Sequence, residues 1–531
     1  GLEINERSAT LELDLSSDEA EVRFEDDHIT TDLGLALRAK VLADAGVTLD
    51  LAGTELRLDQ ARITAGNDRE NRPWQAALRI SDGLLQVPIP PVQDGADPVD
   101  QLTEILRSQD FGTLLTDADG RLAATLTVSR LGWIPRLLDN PLGLTLGGAG
   151  KIEASIRLVD GWLGEGTTLE VQPQGLELGL LDHTVDGQGH ATLTLESGGR
   201  RPDLRLHAEL HDARLRRLDE ERPEIEGMRL EVEAMAADVT PEGVGETEVK
   251  LRIPSARIAD VGVFNAYLPP GTPVKLISGE ASLIGDLQLS PDRARGELLL
   301  RAEDVRFGLD QEELSGDIRL DILVHDGAPE DMRFDLSGSQ LVLDAFRVVG
   351  ETASFDQPDW NAHLEIAKAE VVWKKPMHLE MRALTTIRDT RPFLAVLDNV
   401  RGEHGWIDGL LEAEDLAGHV ELVLDGEQAV LSDAMIGGEK INVGAKGRAG
   451  ADGLEGLVYV RWKNLTGTLA LDGDERHFHL LDARGKFDAY VPGKTASPGR
   501  EAAVAEGPGR RRDAGTEVKP APQAARDAAA T

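Results

Sequence analysis

Period-two alternation of apolar and polar residues runs from one end of this chain to the other, and it limits the possible fold more than any motif does. "ATLELDL" (9–15), "TELRLDQARIT" (54–64), "KIEASIRL" (151–158), "DLRLHAEL" (203–210), "DIRLDILV" (317–324), "HVELVLD" (419–425) and "GTLALDG" (467–473) all alternate. In an extended strand such a pattern sends one row of side chains to an apolar face and the other to water. Gly, Asp and Asn turns separate the runs at intervals of about 10 to 15 residues. The pattern predicts a mainly β chain: one long, curled antiparallel sheet that forms an open groove, repetitive and elongated.

Helical signals are few. "DPVDQLTEILRSQDF" (97–111) has Asp97 placed as N-cap and Pro98 at the first helical position. Shorter candidates are 129–140, 260–268 and 390–399. Residues 146–195 can be laid over 277–322, and both copies follow a short aromatic-containing segment ending at proline. Their core element is apolar-x-Gly-x-apolar-x-apolar. It reads Ile277, Gly279, Ala281, Leu283; then Leu314, Gly316, Ile318, Leu320; then Leu416, Gly418, Val420, Leu422; then Leu465, Gly467, Leu469, Leu471. A looser copy is Ala483, Gly485, Phe487. Glycine on an apolar row removes a side chain and lets a sheet bend, so the repeat predicts a trough. These signals divide the chain into segments 1–128 (with the helix near 97–111), 129–259, 260–389 and 390–491. A tail, 492–531, is rich in Ala, Pro, Gly and charge, lacks periodicity and is expected to be disordered.

Composition narrows the function. The apolar fraction is 41% but aromatics are only 4%, which suits a thin aliphatic layer better than a thick core. A formal charge of −39 argues against nucleic acid, because phosphates would be repelled. There is no cysteine, which removes disulfides, thiolate nucleophiles and Cys-ligated metals together. No run approaches the roughly 18 to 20 apolar residues that cross a bilayer. The chain starts at Gly1, inside alternating sequence, and is expected to be a piece of a longer protein.

The segment "LISGEASLIGDLQL", the Leu-x-Gly-x-apolar-x-Leu strands and the terminal "LEGLVYVRWKNLTGTLALDGDERHFHLLDARGKFDAYVPG" resemble the AsmA-like proteins of Gram-negative envelopes, a group that includes TamB. The resemblance spans most of residues 1–491. It implies a long curled sheet with an apolar groove, located in the periplasm and anchored to the inner membrane by an N-terminal helix absent from this chain. It also implies passage of phospholipids toward the outer membrane, without a cofactor, with envelope proteins of both membranes as partners at the groove ends. A body of roughly 35 strands at about 4.8 Å spacing would run on the order of 170 Å.

The candidate lipid-binding residues are the inward apolar rows: Ile152, Ile156, Leu158, Leu283, Leu287, Leu289, Ile318, Leu320, Val420, Leu422, Leu469 and Leu471. No catalytic or metal residues are assigned. His477 and His479, two apart on a strand, and His207 with His211 lack a third ligand at diagnostic spacing. "TDADGRL" (116–122) begins like a calcium loop but has Val128 where the closing glutamate belongs, and is expected to be a turn. Trp133, Phe264, Tyr267 and Trp406 lie beside the interruptions of the sheet, either as plugs of the trough or as ordinary helix-on-sheet packing. Two other functions remain open. One is a scaffold that pairs sheet edges with outer-membrane protein strands. The other is a carbohydrate-acting β-solenoid, against which the low aromatic content counts.

Overall fold

The alternating runs pair edge to edge. The computed structural model describes most of residues 2–493, apart from short gaps and the segments 88–117, 133–144, 239–246 and 391–412; residues 494–531 also lie outside it. Among the described residues thirty strands form a single sheet, paired antiparallel throughout. The expected helices at 97–111 and 390–399, most of 129–140 and nearly all of the tail lie outside the described residues. The expected helix at 260–268 is a 3-10 helix, Val261–Tyr267, capped by the Asp260 carboxylate on the Gly262 N–H.

The sheet is shorter than the run count suggests. Six short strands, Val47–Asp50, Asp68–Arg69, Trp162–Leu163, Asp326–Ala328, Arg333–Asp335 and Ser354–Asp356, lie in line with longer ones. Among the described residues twenty-four positions therefore stand side by side, spanning about 110 Å at about 4.8 Å each. Runs counted separately from the sequence are pieces of one strand interrupted by a tight turn.

Three of those interruptions are the same device. At Leu51–Thr54, Gly164–Thr167 and Leu336–Ser339 the chain turns through a glycine at φ 87° (Gly53), 84° (Gly166) and 89° (Gly338). Each glycine N–H donates to one residue of a neighbouring strand, Ile80, Leu195 or Ile366. The carbonyl of the next residue accepts from that same residue's N–H. The next side chain is a hydroxyl, buried in each case: Thr54, Thr167 or Ser339. Its oxygen accepts from the strand on the other side, from the N–H of Arg38, Arg157 or Leu323. The turn thus breaks the strand while leaving these backbone groups paired. "LAGTELRLDQAR" (51–62) lies over "LSGSQLVLDAFR" (336–347), and Trp74–Ile80 over Trp360–Ile366. This is a second internal repeat, and the fold follows it.

Bulges supply the remaining bend. Non-glycine residues with left-handed backbone interrupt the ladder at Gln60 (φ 53°), Asp212 (φ 50°), Asp304 (φ 50°) and Ala345 (φ 52°). Gly175 (φ 64°) and Gly227 (φ 55°) do the same in their strands. Followed through the register, the bulges from Gly175 to Ala345 fall within a few residues of one line across the sheet. A bulge bends its strand and increases the local twist, so a line of them forms a crease along the sheet.

The result is a rolled sheet. Gln340 pairs with both Glu365 and Asp321, Asp321 with Leu299, and Leu299 with Ile284, so Glu365 stands level with Ile284. Trp373 then lies beyond the Ser290 end of strand Val274–Ser290, while Tyr267 belongs to the opposite end. A flat sheet would hold them on the order of 40 Å apart. Their ring centroids are 5.2 Å apart. The two rims meet.

Two sequence expectations need correction. Ala483, Gly485 and Phe487 are not a strand copy of the repeat; they lie in helix α1, Ala483–Ala489. There Phe487 is buried against Leu457, Tyr459 and Ala470, because a lone terminal strand pair gains more by covering an apolar patch than by adding another edge. Ile277 is not the first residue of an apolar row. The register slips between Leu276 and Ser278, leaving Ile277 bulged out and 42% exposed while Leu276 joins the apolar cluster. The Thr167 hydroxyl, buried and bonded to both backbone groups of Arg157, gives a direct test of the strand break. Thr167→Val is expected to cost about 1–3 kcal/mol, and Thr168→Val less than about 0.5 kcal/mol, read as the shift in urea midpoint at constant slope.

Candidate functional site

Residues directly opposite each other in an antiparallel ladder project from the same face, so register decides whether the apolar rows join. They do. Ile152 pairs with Val171, Val171 with Ala191, Ala191 with Ala208, Ala208 with Val232, Val232 with Leu251 and Leu251 with Leu287. From Leu283 the line continues through Leu300, Leu320, Leu341, Leu364, Thr385 and Gly418. It runs on through Ile436, Val443 and Val460 to Gly467. Ile318 sits one pair from Leu320, opposite Leu343. Val420 connects through Ala434, Ala445 and Val458 to Leu469, and Leu422 through Leu431, Gly447 and Gly456 to Leu471. Ile156 and Leu158 continue the alternation of Ile152, and Leu289 that of Leu287, with no slip between them. All twelve candidate residues share one face.

That face is neither core nor ordinary surface. Each of the twelve side chains is half-buried, none fully buried and none exposed. A covering layer would bury them. A flat single sheet would expose them. Intermediate burial on every one is what curvature produces, with neighbouring strands crowding the row while its far side stays open.

The apolar side is the inner side of the curve. The 3-10 helix packs on it, with Val261 and Phe264 against Ala281, Ala302, Val305 and Ile318. Trp373 follows Ala369 and Val371, buried members of the same face, and it is Trp373 that Tyr267 meets across the mouth. The opposite face is polar and carries cross-strand ion pairs such as Arg382–Glu421 at 2.6 Å and Arg257–Glu280 at 2.8 Å. Exposed pairs of this kind contribute about 0–1 kcal/mol each. Helix α1 covers the outer face, over the last strands.

The repeat glycines sit where backbones close in. Gly279 (φ 147°) and Gly316 flank Val305, which is fully buried between them. A Cβ at Gly418 would overlap the carbonyl oxygen of Met435. Near the Ser290 end of strand Val274–Ser290 a cleft of about 930 Å³ is lined by Leu204, Met235, Ala236, Leu289, Arg293 and Arg295, within the size range of small-ligand sites.

The weaker candidates are placed as follows. Among the described residues no three His, Asp or Glu side chains form a metal-binding group. His477 lies 3.3 Å from Glu475, and both His207 (3.2 Å) and His211 (3.7 Å) face Glu209. The would-be calcium loop continues as strand Asp119–Val128, a correction to the expected turn, with Asp117 outside the described residues. Trp133 and Trp406 lie outside them as well. Sequence reading missed Trp373, whose role comes from its position across the mouth and leaves no local pattern. It also missed the Gly-Thr/Ser breaks, which the pattern L-x-G-[TS]-x-L would have found in two of the three copies. Comparison with protein-family models, curated proteins and solved structures gives no match.

At the C-terminal edge the His479 pKa is lowered, first by burial and then by Lys486 and His477. Its buried Nε2 has no hydrogen-bond partner among the described residues. A histidine with a depressed folded pKa contributes stability above its unfolded value of about 6.5 and loses it as pH falls toward the folded value. Hydrogen-exchange protection factors over 465–490, taken against the intrinsic rate at each pH, are expected to fall from pH 7.5 to pH 5.5, and His479→Gln to flatten that fall.

Proposed function

We propose that this chain is a non-catalytic conduit that holds phospholipid acyl chains along the inner apolar face of its rolled sheet. The observation that carries the reading is the half-burial of all twelve candidate side chains along one continuous apolar face, with no second sheet over it among the described residues. Burying acyl carbons there gains about 0.8 kcal/mol per CH₂, while a charged headgroup stays at the mouth in water. The twelve candidate residues carry no ionisable group, so the path demands no specific headgroup and no cofactor. In the AsmA-like reading the chain works in the periplasm, between inner and outer membrane, with envelope proteins at its two ends. The net charge of −39 disfavours adsorption of such a body along an anionic bilayer.

One observation favours a second reading. The last strand, Glu475–His479, pairs with Leu465–Asp472 on one side. Near it Phe478 is 66% exposed, Leu480 65% and Leu481 84%. An edge of this kind can accept another strand, as a scaffold for outer-membrane protein assembly would require.

Detergent-free protein purified from a Gram-negative host is expected to yield several phospholipids per chain by mass spectrometry of an organic extract. Leu320→Glu puts a charge on the inner face and is expected to lower bound lipid roughly tenfold. Leu384→Glu alters a side chain that is 53% exposed on the outer face and is expected to leave it unchanged. A lipid-free extract that remains so after incubation with liposomes would move the assignment to the scaffold.

A further inference from the structure

We infer that the 3-10 helix Val261–Tyr267 is a gate across the groove, latched to the opposite rim by Tyr267 against Trp373, so that the groove works as two compartments in series. The inference rests on the conduit reading and adds to it a place where passage is controlled.

Three observations carry it. First, the helix lies inside the curve, on the apolar face itself, with Val261 and Phe264 over Ala281, Ala302 and Ile318. A chain sliding along the row from Leu287 to Ile318 has to pass under it. Second, the helix bridges the mouth. Tyr267 stands 5.2 Å from Trp373, which belongs to the far rim, and 6.3 Å from Phe264.

Third, the two attachments differ in kind. On its own rim the helix is held by hydrogen bonds. The Asn265 side chain donates to the Leu276 carbonyl (2.7 Å) and accepts from the Leu276 N–H (2.8 Å). The Tyr267 hydroxyl reaches the Glu224 carboxylate (3.3 Å) and His183 Nε2 (3.2 Å), and the Arg217 guanidinium lies 5.9 Å from its ring. The contact between Tyr267 and Trp373 on the far rim is one aromatic ring on another, and Trp373 is 40% exposed. Val261 is the one fully buried side chain of the helix. The far contact is therefore the one that opens, with Asn265 as the pivot and Glu224 as the rest position of the tyrosine hydroxyl.

The chain contains no cysteine, so a pair can be placed without background. Ring contact between two long side chains leaves the backbones beyond disulfide reach. The experiment therefore uses Tyr267→Cys with Trp373→Cys and a short, reductively cleavable bis-maleimide. Transfer is followed from donor to acceptor vesicles of phosphatidylethanolamine and phosphatidylglycerol carrying a fluorescent phospholipid. Lipid already bound is measured by mass spectrometry. The expected result is that the uncrosslinked pair transfers at least as fast as the native chain. The crosslinked form keeps its bound lipid but transfers about tenfold or more slowly, and cleaving the linker restores the rate. A crosslinked, lipid-loaded protein that transfers at the uncrosslinked rate overturns the gate and leaves the conduit standing. Failure of the linker to join the two positions overturns the rim-to-rim contact. A native chain with neither bound lipid nor transfer overturns the conduit reading, and the gate falls with it.

Discussion

A sheet with one apolar face and no second layer can hide that face only behind its own curvature. Everything else in this molecule follows from that condition. The register must keep the apolar row on one side without a slip of odd parity, since a shift of one residue would send the row to water. It does so along the line from Ile152 to Leu471, and where a one-residue slip occurs, as between Glu421 and Leu422, a bulge returns the row to the same side. Each strand must then bend, because straight strands would leave the row exposed. The chain bends its strands with bulges and with the repeated Gly-Thr/Ser break, both of which keep backbone groups paired at the corner. The rims approach until Tyr267 and Trp373 touch.

The same condition accounts for the composition. A thick core needs large aromatic side chains; a single curved layer needs Leu, Val, Ile and Ala of modest depth. The aromatics gather where the layer ends or is interrupted. Phe307, Phe346 and Trp360 form a cluster beside a bulge, with centroid separations of 5.8 Å and 4.9 Å. Tyr459 and Phe487 meet at 5.5 Å, where helix α1 covers the outer face. Acidic residues populate the bulges, at Asp212 and Asp304 among others, since a short polar side chain tolerates the left-handed backbone better than a branched one.

Much of this was legible from the sequence. Alternation named the strands, and parity along each strand put the candidate side chains in one row, which is why all twelve fall together on one face. Long-range geometry was not legible. Nothing local distinguishes Trp373 from any aromatic at a strand end, and its meeting with Tyr267 depends on curvature summed over several strands. The Gly485 copy misled because apolar-x-Gly-x-apolar also fits a short helix with Phe487 on its buried side. Ile277 misled because a bulge reverses parity without changing composition. Length was overestimated because "LAGTELRL" reads as a turn between two strands and is in fact a corner within one.

The thrice-repeated corner carries a consequence for how such a chain changes over time. Among the described residues its hydrogen bonds run to the strands on either side. Duplicating a segment that contains it adds length at constant cross-section and creates no new packing problem. Nothing inside the molecule then sets its overall size. In the proposed conduit, what sets it is the distance between the two surfaces its ends would reach, and the number of copies becomes a ruler.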